Sequence, residues 1–152
     1  MSANENKLIK ICVIHGPNLN MLGHRDKKQY GTLTMDKLNK KIRNFAKELE
    51  IEISIYQFNS EEKIIKMLHR SRKTADAVII NPAAYTHYSY AIRDAIELLS
   101  IPVVEVHLSN IYEREDFRQI SVTKEVCLKQ FYGKKEESYI EALSFLHDHL
   151  KK

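Results

Sequence analysis

Three polar clusters in this chain carry residue types that could move protons. The first follows an apolar run, Ile9–Ile14: His15-Gly16-Pro17-Asn18 breaks regular structure, and His24, Arg25, Lys27, Lys28 and Tyr30 come after it. A phenol five residues from a guanidinium is a candidate base. Tyrosine titrates near ~10 when unperturbed, so base chemistry at neutral pH needs a lowered value, which neighbouring arginine charge can supply. Arg25 is near Tyr30 in sequence, and Arg114 and Arg118 are candidates for nearness in space. The second cluster, Asn81 to His87, begins where a short apolar run meets Pro82. The third contains Glu105 and His107, two residues apart in a strand-like run and so on the same face, where the carboxylate could orient or charge the imidazole. Taken singly, each has a structural alternative. Tyr30 reads as a partly buried tyrosine, His107 as a satisfied core histidine, Asn18 and Asn81 as turn residues, and His87 as a helix-start residue.

Other chemistries lack their signatures. No phosphate-binding G-x-x-x-x-G-K-[ST] loop and no G-x-G-x-x-G follows the first strand, so nucleotide binding is not expected. The histidines lack H-E-x-x-H or paired-cysteine spacing, so neither a metal nor another cofactor is expected. There is no G-x-S-x-G elbow. The strand ends that would bear carboxylates in a phosphorylation receiver carry His15 and Asn81 instead. What remains is acid–base chemistry on a small, oxygen-rich anion.

Positioning these clusters requires regular elements. Thr34 is a plausible N-cap with Asp36 in the first turn, and Leu38, Ile42, Phe45 and Leu49 recur at helical spacing to about Glu50. Ile51, Ile53 and Ile55 alternate with polar residues, as in a half-exposed edge strand. Asn59-Ser60 opens a second helix that carries Ile64, Met67 and Leu68. Ala77–Ile80 is a continuously apolar strand of the kind covered on both faces. A third helix carries Ala91, Ile92, Ala95, Ile96 and Leu99 and ends at Ile101-Pro102. Val103–Leu108 is the fourth strand, Val126–Phe131 a weaker fifth, and Tyr139, Leu143, Leu146 and Leu150 mark a last helix. Five strands alternating with helices predict an α/β doubly wound parallel sheet, flavodoxin-like, of order 2-1-3-4-5 with helices on both faces. In that order the loops leaving strands one, three and four converge, and these loops hold the three polar clusters.

At 152 residues, with 43% hydrophobic and 29% charged side chains, the composition is that of one soluble domain, expected over residues 8–152 behind a flexible lead of residues 1–7. No apolar stretch reaches the ~20 residues of a membrane span, and the N-terminus has no apolar signal core, so a cytoplasmic protein with no membrane partner is expected. Cys12 and Cys127 read as two buried thiols. The net charge is +4, but Lys37, Lys40, Lys41 and Lys47 fall on the polar side of a predicted helix with no interleaved aromatics, so nucleic acid is not expected either.

Three ordered segments resemble the type II 3-dehydroquinate dehydratases: Gly16–Gly23 with Arg25 and Tyr30-Gly31, Ile79–His87 with Arg93-Asp94-Ala95, and Glu105–Ile111 with Arg114-Glu115 and Phe117-Arg118. The resemblance covers about Ile11 to Ser121. It implies a flavodoxin-like fold and cofactor-free dehydration of 3-dehydroquinate to 3-dehydroshikimate through an enolate, in the shikimate or quinate pathway. By position it implies Tyr30 as base, Arg25 on a mobile lid loop beside it, Asn18 as an enolate holder acting through water, and His107, oriented by Glu105, as acid. Asn81, His87, Asp94, Arg118 and the backbone of Leu108 and Ser109 would bind substrate. The resemblance also implies trimers grouped into a homododecamer, with Asp94 acting across a subunit boundary. His15 stands where the family usually has Asn, and Ala83 where it usually has Gly, tightening the loop that positions Asn81. After Ser121 the likeness fades, over Phe131–Glu137 above all. A protein of different class, a non-catalytic flavodoxin-like binding paralogue, would need none of Tyr30, Arg25 and His107 together.

Overall fold

A computed structural model describes residues 7–151 of the chain. The expected lead, residues 1–7, lies almost wholly outside the described residues. Five parallel strands, β1 (Ile9–His15), β2 (Ile51–Gln57), β3 (Ala77–Asn81), β4 (Val103–His107) and β5 (Lys129–Tyr132), form one sheet of order β2-β1-β3-β4-β5. Strand residues alternate between two apolar layers, as the two-residue period requires. Ile11, Val13, Ile79, Val104 and Val106 pack with α2 (Met35–Glu48) and α5 (Glu137–Leu150). Cys12, Ile14, Val78, Ile80 and Val103 pack with α3 (Glu61–Thr74) and α4 (Tyr90–Glu97). The flavodoxin-like order and the helices on both faces are as the sequence predicts.

The helix starts follow from their caps. Thr34 accepts a hydrogen bond from Lys37 N at 3.2 Å and Ser60 one from Lys63 N at 3.3 Å, each satisfying a donor the helix leaves open. Three boundaries differ from the sequence reading. The loop after β1 contains one helical turn, α1 (Lys27–Tyr30), capped by the Asp26 side chain, which accepts from Lys28 N. α4 stops at Glu97, short of Leu99. β5 starts at Lys129, because Lys124–Val126 form a 3-10 turn and the chain joins β4 only when Leu128 N donates to Val103 O at 2.8 Å. Cys12 is buried, but Cys127 is only partly so, because it follows that turn instead of lying in a strand, and both thiols are free. No helix among the described residues is long and apolar enough to cross a membrane.

The topological switch lies between β1 and β3, whose ends are in register, His15 opposite Asn81. The two strands part there, and their loops open a cleft at the carboxyl end of the sheet. Gly16 is required at that point. A Cβ on it would sit 2.7 Å from the Asn81 carbonyl oxygen, which instead accepts the Gly16 N–H at 2.8 Å.

Candidate active site

The three polar clusters meet around this cleft. From the first loop come Asn18, Arg25 and Tyr30; from the second Asn81, Ala83, Ala84 and His87; from the third His107, Leu108, Ser109, Arg114 and Arg118. No lining residue is Asp or Glu, while Arg25, Arg114 and Arg118 all line it, with Glu115 behind the latter two, so the wall is net positive and suits an anionic ligand.

Tyr30 closes α1 and is only 7% exposed. Its phenol oxygen accepts a hydrogen bond from Arg114 Nη1 at 2.9 Å, while the Arg25 guanidinium carbon lies 4.2 Å from the ring centroid. The cation in contact with the oxygen is therefore Arg114, and Arg25 stacks on the ring. Arg114 Nε is buried with no hydrogen-bond partner among the described residues, and Glu115 Oε1 stands 3.7 Å from it as an ion-pair partner. Sequence spacing favoured Arg25 as the partner of Tyr30. Arg114 reaches it because β4 delivers the 3-10 turn Ile111–Glu113 back over the cleft.

His107 ends β4, with 4% exposure, and its Nε2 donates to Glu105 Oε2 at 2.7 Å. Glu105 does not line the cleft. It is fully buried behind His107 and also accepts hydrogen bonds from Thr86, Ser121, Gln130 and Thr123. Burial pushes the Glu105 carboxyl up, but the His107 hydrogen bond and charge, then Thr123 and Gln130, outweigh it and hold the group at about 2. An anion there fixes the imidazole with its proton on Nε2, so Nδ1 is the nitrogen left to exchange a proton elsewhere. Thr86, Ser121, Thr123 and Gln130 escape a reading by motif because each is an uncharged polar residue whose role appears only once β3, β4 and β5 are adjacent.

Asn18 holds a left-handed backbone, φ 68°, a conformation asparagine tolerates, and its N–H donates to Asn59 Oδ1 at 3.0 Å. His87 Nδ1 donates to Ile120 O at 2.7 Å. Burial lowers its affinity for a proton, the Ile120 bond opposes this, and the charges of His107, Arg118 and Arg114 lower it further. Arg118 is held by Glu115, Nε to Oε2 at 3.2 Å. The segment Phe131–Glu137 supports this wall from behind: Gly133 N donates to Ser109 O at 3.1 Å and Lys135 N to Leu108 O at 2.9 Å. Asp94 is the one expected site residue not brought in. It is exposed on α4 and does not line the cleft of its own chain.

The arrangement places a cation-contacted phenol and a carboxylate-backed imidazole on one positively charged cleft, which suits removing a proton and delivering another on an oxygen-rich anion. Comparison with known proteins agrees with this chemistry. Residues 9–147 match the family described as dehydroquinase class II. A 3-dehydroquinate dehydratase of Pelotomaculum thermopropionicum is 50% identical over 135 residues, 89% of this chain and 94% of that protein. One from Thermotoga neapolitana is 50% identical over 138 residues, 91% and 94% of the two chains. The crystal structure of type II dehydroquinase from Butyrivibrio crossotus superposes with a TM-score of 0.90 at 47% identity, covering 91% of this chain and 97% of that one. With that match spanning nearly the whole chain and the same fold beneath it, the chain belongs to the class II dehydroquinase family.

Proposed function

We propose that the cleft dehydrates 3-dehydroquinate to 3-dehydroshikimate by acid–base chemistry through an enolate. Tyr30 takes the proton from the carbon between the ketone and the carbon bearing the departing hydroxyl. The electron pair moves onto the ketone oxygen, where Asn18, through a water, holds the enolate. The enolate then re-forms the carbonyl and expels the hydroxyl, which leaves as water with a proton from His107. Glu105 keeps His107 oriented by accepting its Nε2 proton in a hydrogen bond. Arg114 faces the Tyr30 oxygen and Arg25 covers the ring from the α1 loop, so two cations meet the negative charge that appears on this side of the cleft. Asn81, His87, Arg118 and the backbone of Leu108 and Ser109 bind the substrate's hydroxyls and carboxylate.

The observation that carries this reading is the pairing, in one cleft, of the Tyr30–Arg114 contact with the His107–Glu105 pair. A binding paralogue would need none of Tyr30, Arg25 and His107 together. The proposal extends to trimers assembled into a dodecamer, with Asp94 serving a neighbouring subunit's cleft, and to the cytoplasm as the compartment. Exposed apolar side chains near the β5 edge and α4, such as Tyr90, Leu98, Leu128 and Tyr132, support an oligomer.

The test is to follow the ultraviolet absorbance of the conjugated enone product in wild type and Tyr30→Phe. Wild type should produce it, and the variant should be slower by about 10²–10⁴-fold, the scale for one acid–base group. Equal rates would remove Tyr30 from the mechanism, and a flat wild-type trace would return the fold to the binding-protein class.

A further inference from the structure

Beneath the cleft, on the α2/α5 side of the sheet, four polar side chains that take no part in the proposed proton transfers are joined in one buried chain. His15 and Tyr139 have no exposure and Asn81 has 3%. Asn81 Oδ1 lies 3.0 Å from Ala83 N, Asn81 Nδ2 lies 3.0 Å from Tyr139 Oη, Tyr139 Oη lies 2.9 Å from His15 Nδ1, and His15 Nε2 lies 2.8 Å from Asn39 Oδ1.

Every proton in this chain can be placed from one end. A backbone N–H only donates, so the Asn81 end facing Ala83 is its oxygen and the end facing Tyr139 is its NH₂. Tyr139 therefore accepts from Asn81, and its own proton needs an acceptor. His15 Nδ1 is the acceptor within reach, so Nδ1 is bare and a neutral His15 carries its proton on Nε2, donating to Asn39. The reverse arrangement would strand a fully buried hydroxyl proton, a penalty of about 1–3 kcal/mol.

The head of the chain is at the site. Asn81, Ala83 and Ala84 line the cleft, and Ala83 sits at φ 53°, a left-handed backbone that a side chain resists by about 1–2 kcal/mol. What secures the turn is the Asn81 side chain on one side and the Gly16 N–H on the Asn81 carbonyl on the other. The amide keeps one N–H and one oxygen lone pair uncommitted for a ligand.

We propose that Tyr139 and His15 are positioning residues for the reaction: by a one-directional hydrogen-bond chain anchored on α2 and α5 they fix which end of the Asn81 amide faces the substrate and hold the strained Ala83 turn in place. His15 offers Nδ1 as the acceptor, and an Asn at this position would offer an oxygen at the same distance along its side chain, so the two residue types are interchangeable in this one respect.

The proposal rests on the dehydratase reading, and its test separates the two. On wild type alone, ¹⁵N NMR of the imidazoles at neutral pH should find His15 with Nδ1 unprotonated and Nε2 protonated. This measurement needs neither substrate nor variant, and the opposite tautomer or a doubly protonated ring would overturn the chain. Steady-state kinetics with 3-dehydroquinate, well below each variant's unfolding temperature, supply the functional arm. Tyr139→Phe, which removes one oxygen, and His15→Leu should each lower kcat/KM by about 10- to 100-fold, the effect of roughly an ångström of misplacement. His15→Asn should recover most of that loss, and Tyr139→Phe should add nothing to Asn81→Ala. Wild-type kcat/KM in Tyr139→Phe, or losses that multiply in the double variant, would contradict it. No turnover in wild type would overturn the dehydratase reading, and the tautomer result would still stand or fall separately.

Discussion

Glu105 and His15 are both fully buried and titratable, and each makes the molecule sensitive to acid in its own range. Glu105 is held at about 2 against an ordinary 4.5 for the carboxyl, so the stability it contributes is complete above 4.5 and is lost as pH falls toward 2. His15 is pushed down from 6.5 to about 4 by burial, with the Asn39 bond opposing, so the fold prefers it neutral. In the unfolded chain it takes up a proton below 6.5, and stability therefore falls as pH drops from 6.5 to about 4. That span corresponds to about 3 kcal/mol. Urea unfolding at a series of pH values should show this loss in wild type, and His15→Asn, which cannot titrate there, should flatten the curve between 6.5 and 4. Parallel curves for the two proteins would assign the loss to other groups. Tyr30, Asn81, His87 and His107 were legible as members of polar clusters at strand ends, which the fold brings to one cleft, while their separate roles rest on the family resemblance. Arg114's contact with Tyr30 was legible only as one of two spatial candidates, with Arg118 the other, since 84 residues separate the pair and only the folded β4 loop joins them.

Helices and strands were legible where pattern is local: Thr34 and Ser60 cap the helices they precede in sequence, and Ala77–Ile80 is a buried strand. The elements that escaped are short and held by distant partners, α1 through the Asp26 cap and the delayed β5 through Val103. Among loops, the Asn81–Ala84 turn invites a direct measurement. Replacing Ala83 by glycine relieves a left-handed penalty of about 1–2 kcal/mol and adds an unfolded-state entropy loss of about 0.4–1 kcal/mol. The net gain of roughly 0.5–1 kcal/mol should raise Tm by about 2 °C for a chain of this size, read by thermal unfolding with circular dichroism. A lower Tm in Ala83→Gly would mean that the methyl group packs more favourably than its backbone angle is strained.

For the whole molecule, the alternation of strands and helices was enough to give the sheet order, because right-handed crossovers and buried parallel strands leave few topologies. What a single chain cannot display is the destination of Asp94, exposed on α4 and outside its own cleft. If Asp94 completes a neighbour's site, two inactive variants should complement each other. Asp94→Ala subunits keep Tyr30, and Tyr30→Phe subunits keep Asp94. Dissociating and reassembling a mixture should restore part of the activity that neither shows alone, whereas a mixture no more active than its parts would confine Asp94 to its own subunit. The central claim, that Tyr30 removes a proton and His107 delivers one, is tested most directly by incubating 3-dehydroquinate in D₂O with His107→Ala and with Tyr30→Phe, and following both deuterium uptake beside the ketone and enone formation. The account predicts that His107→Ala exchanges the proton but eliminates water slowly, and that Tyr30→Phe does neither. Exchange at the wild-type rate in Tyr30→Phe, or elimination at the wild-type rate in His107→Ala, would contradict it.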